Sequence, residues 1–136
     1  MKELRVVGAI ILKNGYILAT QRKSGSLAGG WEFPGGKIEP GETPEEALIR
    51  EIHEELDVSI SNIEFFAKVT HEYDDFKLDM DCFTCTIESG KLELHDHTSA
   101  KWLDAEHLYS VDWLPADIAL IPKLQEFLQN RQSDSK

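Results

Sequence analysis

Between Gly36 and Val58 the chain reads GKIEPGETPEEALIREIHEELDV, and no other stretch narrows its folding choices as much. Thr43-Pro44-Glu45-Glu46 spells a helix start, with Thr43 as N-cap, Pro44 at the first helical position and Glu46 as the reciprocal capping-box partner. Leu48, Ile52 and Leu56 then recur at four-residue steps, giving an apolar stripe that can dock on a sheet. Flanking that stripe, Glu51, Glu54 and Glu55 are spaced so that a helix gathers their carboxylates on one face within a turn. Clustered carboxylates repel one another. A hard cation such as Mg²⁺ offsets that repulsion, because it takes oxygen ligands and often bridges to phosphates. The plain alternative is a solvated acidic helix face.

The residues before the helix weigh against that alternative. Trp31-Glu32-Phe33-Pro34-Gly35-Gly36-Lys37 reads as a short apolar strand running into a Gly-Gly loop, and Gly41 sets a further turn before the cap. Glycines there let backbone approach a ligand or metal closely. Strand, glycine loop, capped helix and carboxylate face come in an order that suits a metal and phosphate site.

At this point the chain resembles the Nudix hydrolases, whose signature is G-x5-E-x7-R-E-U-x-E-E-x-G-U with U a bulky apolar residue. Gly36, Glu42, Arg50, Glu51, Ile52, Glu54, Glu55 and Val58 all fall in register with it. Asp57 stands where the last glycine belongs. That glycine closes the helix in a left-handed conformation, which Asp tolerates at some cost. The likeness continues at Gly8-Ala9-Ile10-Ile11, Thr20-Gln21-Arg22 and Leu114-Pro115-Ala116-Asp117-Ile118. It is strongest toward the MutT-type branch and its CTP-cleaving relatives, over roughly residues 4 to 128.

Composition sets limits. At 136 residues the chain is expected to form one domain, residues 1–130, followed by a disordered polar tail, 131–136. A net charge of −11 and the lack of a basic stripe argue against a nucleic acid polymer as partner. A divalent ion reconciles that charge with a nucleotide substrate. No apolar run reaches the length of a signal peptide or a membrane span, so no membrane association and a cytoplasmic location are expected. Cys82 and Cys85 sit three apart in an alternating, strand-like segment and so face opposite ways, which fits neither zinc binding nor redox pairing.

The coarse pattern is α/β. Leu4 to Leu12 and Tyr16 to Thr20 read as strands around an Asn14-Gly15 hairpin turn, with a flexible loop from Ser24 to Gly30. Ile63 to Tyr73 and Phe76 to Ile87 follow the helix as strands, then Ala100 to Leu103, and a closing helix spans Asp117 to Asn130. This order matches the Nudix α/β/α sandwich, a mixed β-sheet between helices.

The resemblance implies a Mg²⁺-dependent pyrophosphohydrolase, Mn²⁺ being a substitute, that cleaves a nucleoside triphosphate to monophosphate and pyrophosphate as a monomer or homodimer. It implies metal ligands at the Gly35 carbonyl, Glu51, Glu54, Glu55 and Asp96. Glu51 and Glu54 are the catalytic carboxylates, and Arg50 holds the glutamates in place with Glu42 as its partner. Substrate contacts fall on Arg22, Phe33 and Asp117. The general base is Glu51 or, alternatively, Asp96. His95 and His97, flanking Asp96 in a polar loop, read as solvated. An ionised Asp117 only accepts hydrogen bonds, which favours the cytosine N4 amine over the guanine carbonyl, while the cytosine N3 acceptor calls for another donor or a protonated Asp117. CTP, dCTP or modified cytosine nucleotides are therefore expected, with 8-oxo-dGTP as the alternative. ADP-ribose-cleaving members carry a proline where this chain has Tyr73, and non-enzymatic nucleotide-sensing members lose box carboxylates that this chain keeps.

Overall fold

The computed structural model describes residues 2–134, with side chains through residue 131. Its spine is strand β1, Lys2–Lys13. Asn14 (φ 52°) and Gly15 (φ 85°) both take left-handed conformations, the turn an Asn-Gly pair supports, and return the chain as β2, Tyr16–Arg22. The loop that follows is tied at its ends: Arg22 N–H donates to Gly30 O and Gly29 N–H donates to Arg22 O, each at 2.9 Å. After it come two short strands, β3 (Trp31–Glu32) on β2 and β4 (Gly35–Lys37) on β1.

The Gly-Gly pair expected in a loop is therefore strand. Gly35 lies opposite Gly8 and Gly36 opposite Val7. A side chain at Gly35 would overlap the Val7 carbonyl, and one at Gly36 would overlap the Glu51 carboxyl group. Glycine lets the strand pass this close to both β1 and the carboxylate helix.

That helix, α1, spans Pro44–Leu56 and starts as its sequence indicates. Thr43 Oγ1 accepts from Glu46 N–H at 3.1 Å, and Glu46 Oε1 accepts from Thr43 N–H at 2.9 Å. β5 (Ser59–Glu72) and β6 (Phe76–Ser89) form a long antiparallel hairpin. β6 pairs in parallel with the other edge of β1, from Lys2↔Phe76 to Ile11↔Cys85. β7, His97–Leu103, completes the sheet on β2, and a 3₁₀ turn, Ala105–Ser110, follows. The sheet is thus mixed, in the order β3-β2-β1-β6-β5 with β4 and β7 branching from β1 and β2.

Alternation along β1 feeds two cores. Val7, Ala9 and Ile11 pack with Leu48, Ile52 and Leu56 of α1. Ile10 packs on the opposite side with Leu120, Ile121, Leu124 and Leu128. Each fully buried leucine or isoleucine contributes about 1.5–3 kcal/mol. Cys82 joins the second core and Cys85 the first, so the thiols do face apart. Burial pushes both thiols up, that of Cys85 to about 12, which leaves them unreactive.

Two expectations need correction. The closing helix is two helices, α2 (Pro115–Ile118) and α3 (Ile121–Asp134). Pro122 lacks the N–H that would bond Ile118, and its ring crowds that carbonyl, so one continuous helix is excluded. The tail expected to be disordered from 131 is helical through Asp134, because no glycine or proline follows Asn130 to stop α3; residues 135 and 136 lie outside the described residues.

Asp57 caps α1 at φ 60° and ψ 31°, its N–H donating to His53 O. It fills the left-handed position at a cost glycine avoids, and it puts a negative charge at the helix's negative end. Asp57→Gly is expected to stabilise the fold by about 0.5–1 kcal/mol, a rise of about 2–4 °C in Tm on thermal unfolding.

Candidate active site

The glycine strand and the carboxylate helix meet over a cavity of about 650 Å³, lined by Arg22, Glu32, Phe33, Gly35, Glu51, Glu55, Asp96, His97 and Asp117 among others. Arg50 organises one wall. Its Nε and Nη2 hold Glu42 at 2.7 and 2.9 Å, a two-point contact matching the fork of a guanidinium to a carboxylate. Nη1 donates to Glu51 at 2.9 Å and to Glu54 at 3.3 Å, and Nη2 also reaches the Lys37 carbonyl at 3.0 Å. The partner acids push Arg50 further up, and Arg50 holds Glu42 down at about 2.

Glu55 behaves in the opposite way. Burial, then the charges of Glu51, Glu32 and Asp96, push it up to about 9. Its Oε2 is buried with no hydrogen-bond partner among the described residues. A buried, unpaired carboxylate oxygen facing other carboxylates is what a hard divalent cation would satisfy, and the oxygen-only donors Glu51, Glu55 and Asp96 suit Mg²⁺ or Mn²⁺. Glu54 differs from its neighbours: its side chain is 57% exposed, paired with Arg50, and it does not line the cavity. A further grouping, Asp57, Glu93 and His95, brings ligand atoms within 4.8 Å of one another, but all three are exposed and outside the cavity.

Across the cavity, Asp117 is only 4% exposed. Its Oδ1 accepts from Phe33 N–H at 3.0 Å. Burial first, and Glu32 to a lesser degree, push its carboxyl up to about 8, so near neutral pH it is mostly protonated. Held neutral, the carboxyl can donate one hydrogen bond as well as accept others, unlike the ionised, acceptor-only form. Phe33 is buried, its ring stacked on Trp113 at 4.7 Å between centroids; its backbone, rather than a free ring face, fixes Asp117. Tyr73 Oη accepts from Ala116 N–H at 3.2 Å, steadying the start of α2, which carries Asp117.

Two cavity residues were passed over in the sequence. Glu32 binds Arg22 through Oε1 and His97 through Oε2, both at 3.1 Å. A charge between buried Trp31 and Phe33 was the available signal, since neighbouring strand positions face opposite ways. His97 is buried, not solvated: it is the first residue of β7, pairs with Arg22 of β2, and sets its ring against Glu32. His95 is exposed.

The chain matches the NUDIX domain over residues 2–130. It is 35% identical over 135 residues to the CTP pyrophosphohydrolase of Escherichia coli K12, covering 98% of this chain and all 100% of that protein. It is 33% identical over 127 residues to the 8-oxo-dGTP diphosphatase of the same organism, covering 92% and 98%. The solution structure of the E. coli ORF135 protein superposes with a TM-score of 0.77 at 34% identity, covering 98% of this chain and 94% of that one. Fold and cavity therefore belong to a hydrolase. The chain is a member of the Nudix hydrolase family.

Nudix hydrolases generally use a divalent metal, and a cation held by the raised Glu55 would bind in a pH-linked way. The folded, metal-free protein keeps a proton on Glu55 that the unfolded chain loses above about 4.5, so metal-free stability falls as pH rises from there toward about 9. A cation bound at Glu55 would have to displace that proton. The shift in Tm produced by Mg²⁺ is therefore expected to be larger at pH about 9 than at pH about 6, and Glu55→Gln to flatten the difference. Calorimetry in buffers of different ionisation enthalpy would register the released proton; equal shifts at both pH values would count against this linkage.

Proposed function

We propose that the protein is a Mg²⁺-dependent nucleoside triphosphate pyrophosphohydrolase acting on CTP, dCTP or modified cytosine nucleotides. The observation that carries this reading is one cavity shared by the carboxylate cluster, Arg22 and the buried Asp117. Carboxylates there suit metal-bound phosphates, the arginine suits phosphate oxygens, and the buried carboxyl suits the polar edge of a base.

The Gly35 carbonyl, Glu51, Glu54, Glu55 and Asp96 would hold the cation, Glu54 from the exposed rim. Bound there, the cation would neutralise phosphate charge and lower the pKa of a water. Arg50 keeps Glu51 turned toward the cavity while neutralising part of the cluster. Glu51 takes the proton of the attacking water, with Asp96 the other candidate on the cavity wall. Oxygen bonds to an inner phosphorus, the bridging P–O bond breaks, and pyrophosphate departs from the nucleoside monophosphate. Arg22 steadies the phosphate chain during this exchange.

A neutral Asp117 donates to cytosine N3 and accepts from the N4 amine, a pairing that a bare carboxylate could not complete. The same donor and acceptor order fits the mixed edge of 8-oxoguanine, which is the observation favouring hydrolysis of 8-oxo-dGTP as the second reading. The likeness to a protein named CTP pyrophosphohydrolase over the whole chain supports cytosine first.

Incubation of CTP and of 8-oxo-dGTP with enzyme and Mg²⁺, followed by chromatography, is expected to yield monophosphate and pyrophosphate in equal amounts. Accumulating diphosphate, or loss of all turnover on both substrates, would overturn the assignment. The preferred base should also respond to pH in a defined direction. KM for CTP is expected to stay low below about 8 and to climb as Asp117 loses its proton above it, with Asp117→Asn removing that rise. Parallel KM profiles for the two proteins would remove Asp117 from base recognition.

A further inference from the structure

We propose that His97 is a positioning residue which, through Glu32, aims Arg22 at the phosphate chain of the substrate. The proposal rests on the reading above that Arg22 meets phosphates.

Arg22 is 46% exposed and close to the end of its strand, where β2 and β7 lose register between Gln21 and Arg22. A long side chain at such a place would sample many rotamers, and holding one of them needs an anchor. Glu32 provides it, with Oε1 accepting from Arg22 Nη1 at 3.1 Å. Its other oxygen, Oε2, is 3.1 Å from His97 Nε2. A carboxylate ion-paired to arginine only accepts, so Nε2 carries the proton in this contact. The two oxygens of one carboxylate are thereby divided, one for the imidazole and one for the guanidinium. That division fixes the direction in which Glu32 presents itself to Arg22.

His97 also neighbours a second acid: its Nε2 is 4.0 Å from Oε2 of Glu55 in the carboxylate cluster. Without the ring, Glu32 would be free to turn from Arg22 toward the cation bound by that cluster. The other ring nitrogen, Nδ1, is buried with no hydrogen-bond partner among the described residues, and the side chain is 3% exposed. A residue kept only to fill space would not leave a polar atom stranded; an apolar ring or leucine fills space without that penalty. The polar contact that the imidazole supplies here is the one Nε2 makes to Glu32.

Binding of inorganic tripolyphosphate in the presence of Mg²⁺, followed by calorimetry, tests this without reference to the base. Arg22→Ala and His97→Leu are each expected to weaken binding about tenfold, and the double variant to be no weaker than Arg22→Ala alone. His97→Gln, whose amide can donate from about the same place, should recover most of the affinity. With CTP as substrate, KM should rise about tenfold in His97→Leu while kcat changes less, the mark of lost phosphate positioning. Glu32→Gln should reproduce the loss while keeping the shape of the site, and it decides the matter if His97→Leu does not fold. Affinity within about twofold of wild type in His97→Leu or Glu32→Gln, or losses that multiply in the double variant, would overturn the proposal. If Arg22→Ala binds tripolyphosphate normally, the phosphate role of Arg22 falls and the proposal with it. A wild type that binds tripolyphosphate through Arg22 yet leaves CTP and 8-oxo-dGTP intact would instead discard the substrate reading alone.

Discussion

The guanidinium of Arg50 is the contact on which the rest of this site depends. It gathers Glu42 from the loop before α1, Glu51 and Glu54 from α1, and the Lys37 carbonyl at the end of β4. Among the described residues, no other single side chain joins strand, loop and helix there in one hydrogen-bonded unit. Acidic side chains this close would otherwise spread apart, and a flexible lysine would offer no planar fork to hold two of them at fixed angles. Because its donors point in set directions, Arg50 determines where Glu51 stands as well as how much charge surrounds it.

Around that anchor, glutamates of the same intrinsic acidity are driven to opposite ends of the scale. Glu42 lies against Arg50 and is held ionised at about 2, whereas Glu55, one turn along α1 from Glu51 and turned inward, rises to about 9. Burial and like charge raise it; no arginine compensates. Asp117 repeats the pattern in the part of the cavity proposed for the base, where burial keeps a carboxyl neutral. The cavity therefore combines fixed negative charge with two acids that burial holds protonated at neutral pH, an arrangement more typical of working sites than of scaffolds.

Much of this was legible in the sequence, and for identifiable reasons. The start of α1 could be read because capping depends on adjacent residues, and its stripe because helical spacing is local. The left-handed Asp57 followed from the family resemblance, whose signature puts a helix-closing glycine at that position. Strand status for Gly35 and Gly36 was hidden, since it comes from pairing with Val7 and Gly8, far away in the chain. The break before α3 was available in Pro122 and was outweighed by the apolar periodicity running through it. His97 shows the harder case: a histidine in a polar stretch looks solvated until β7 is placed beside β2. Burial of Glu55 in preference to Glu54 likewise depended on how α1 is rolled against the sheet, which spacing alone leaves open.

The tied loop after β2 has a further consequence. Its ends are joined by Arg22 and Gly30 hydrogen bonds and by pairing of β2 with β3, so its closure does not depend on the residues between. Lengthening such a loop costs little, about 0.6 kcal/mol for each doubling. Ser24 and Leu27 nonetheless line the cavity. A change in the length of this loop would thus reach the cavity through Ser24 and Leu27, while the carboxylates of α1, packed against β4, would stay where they are.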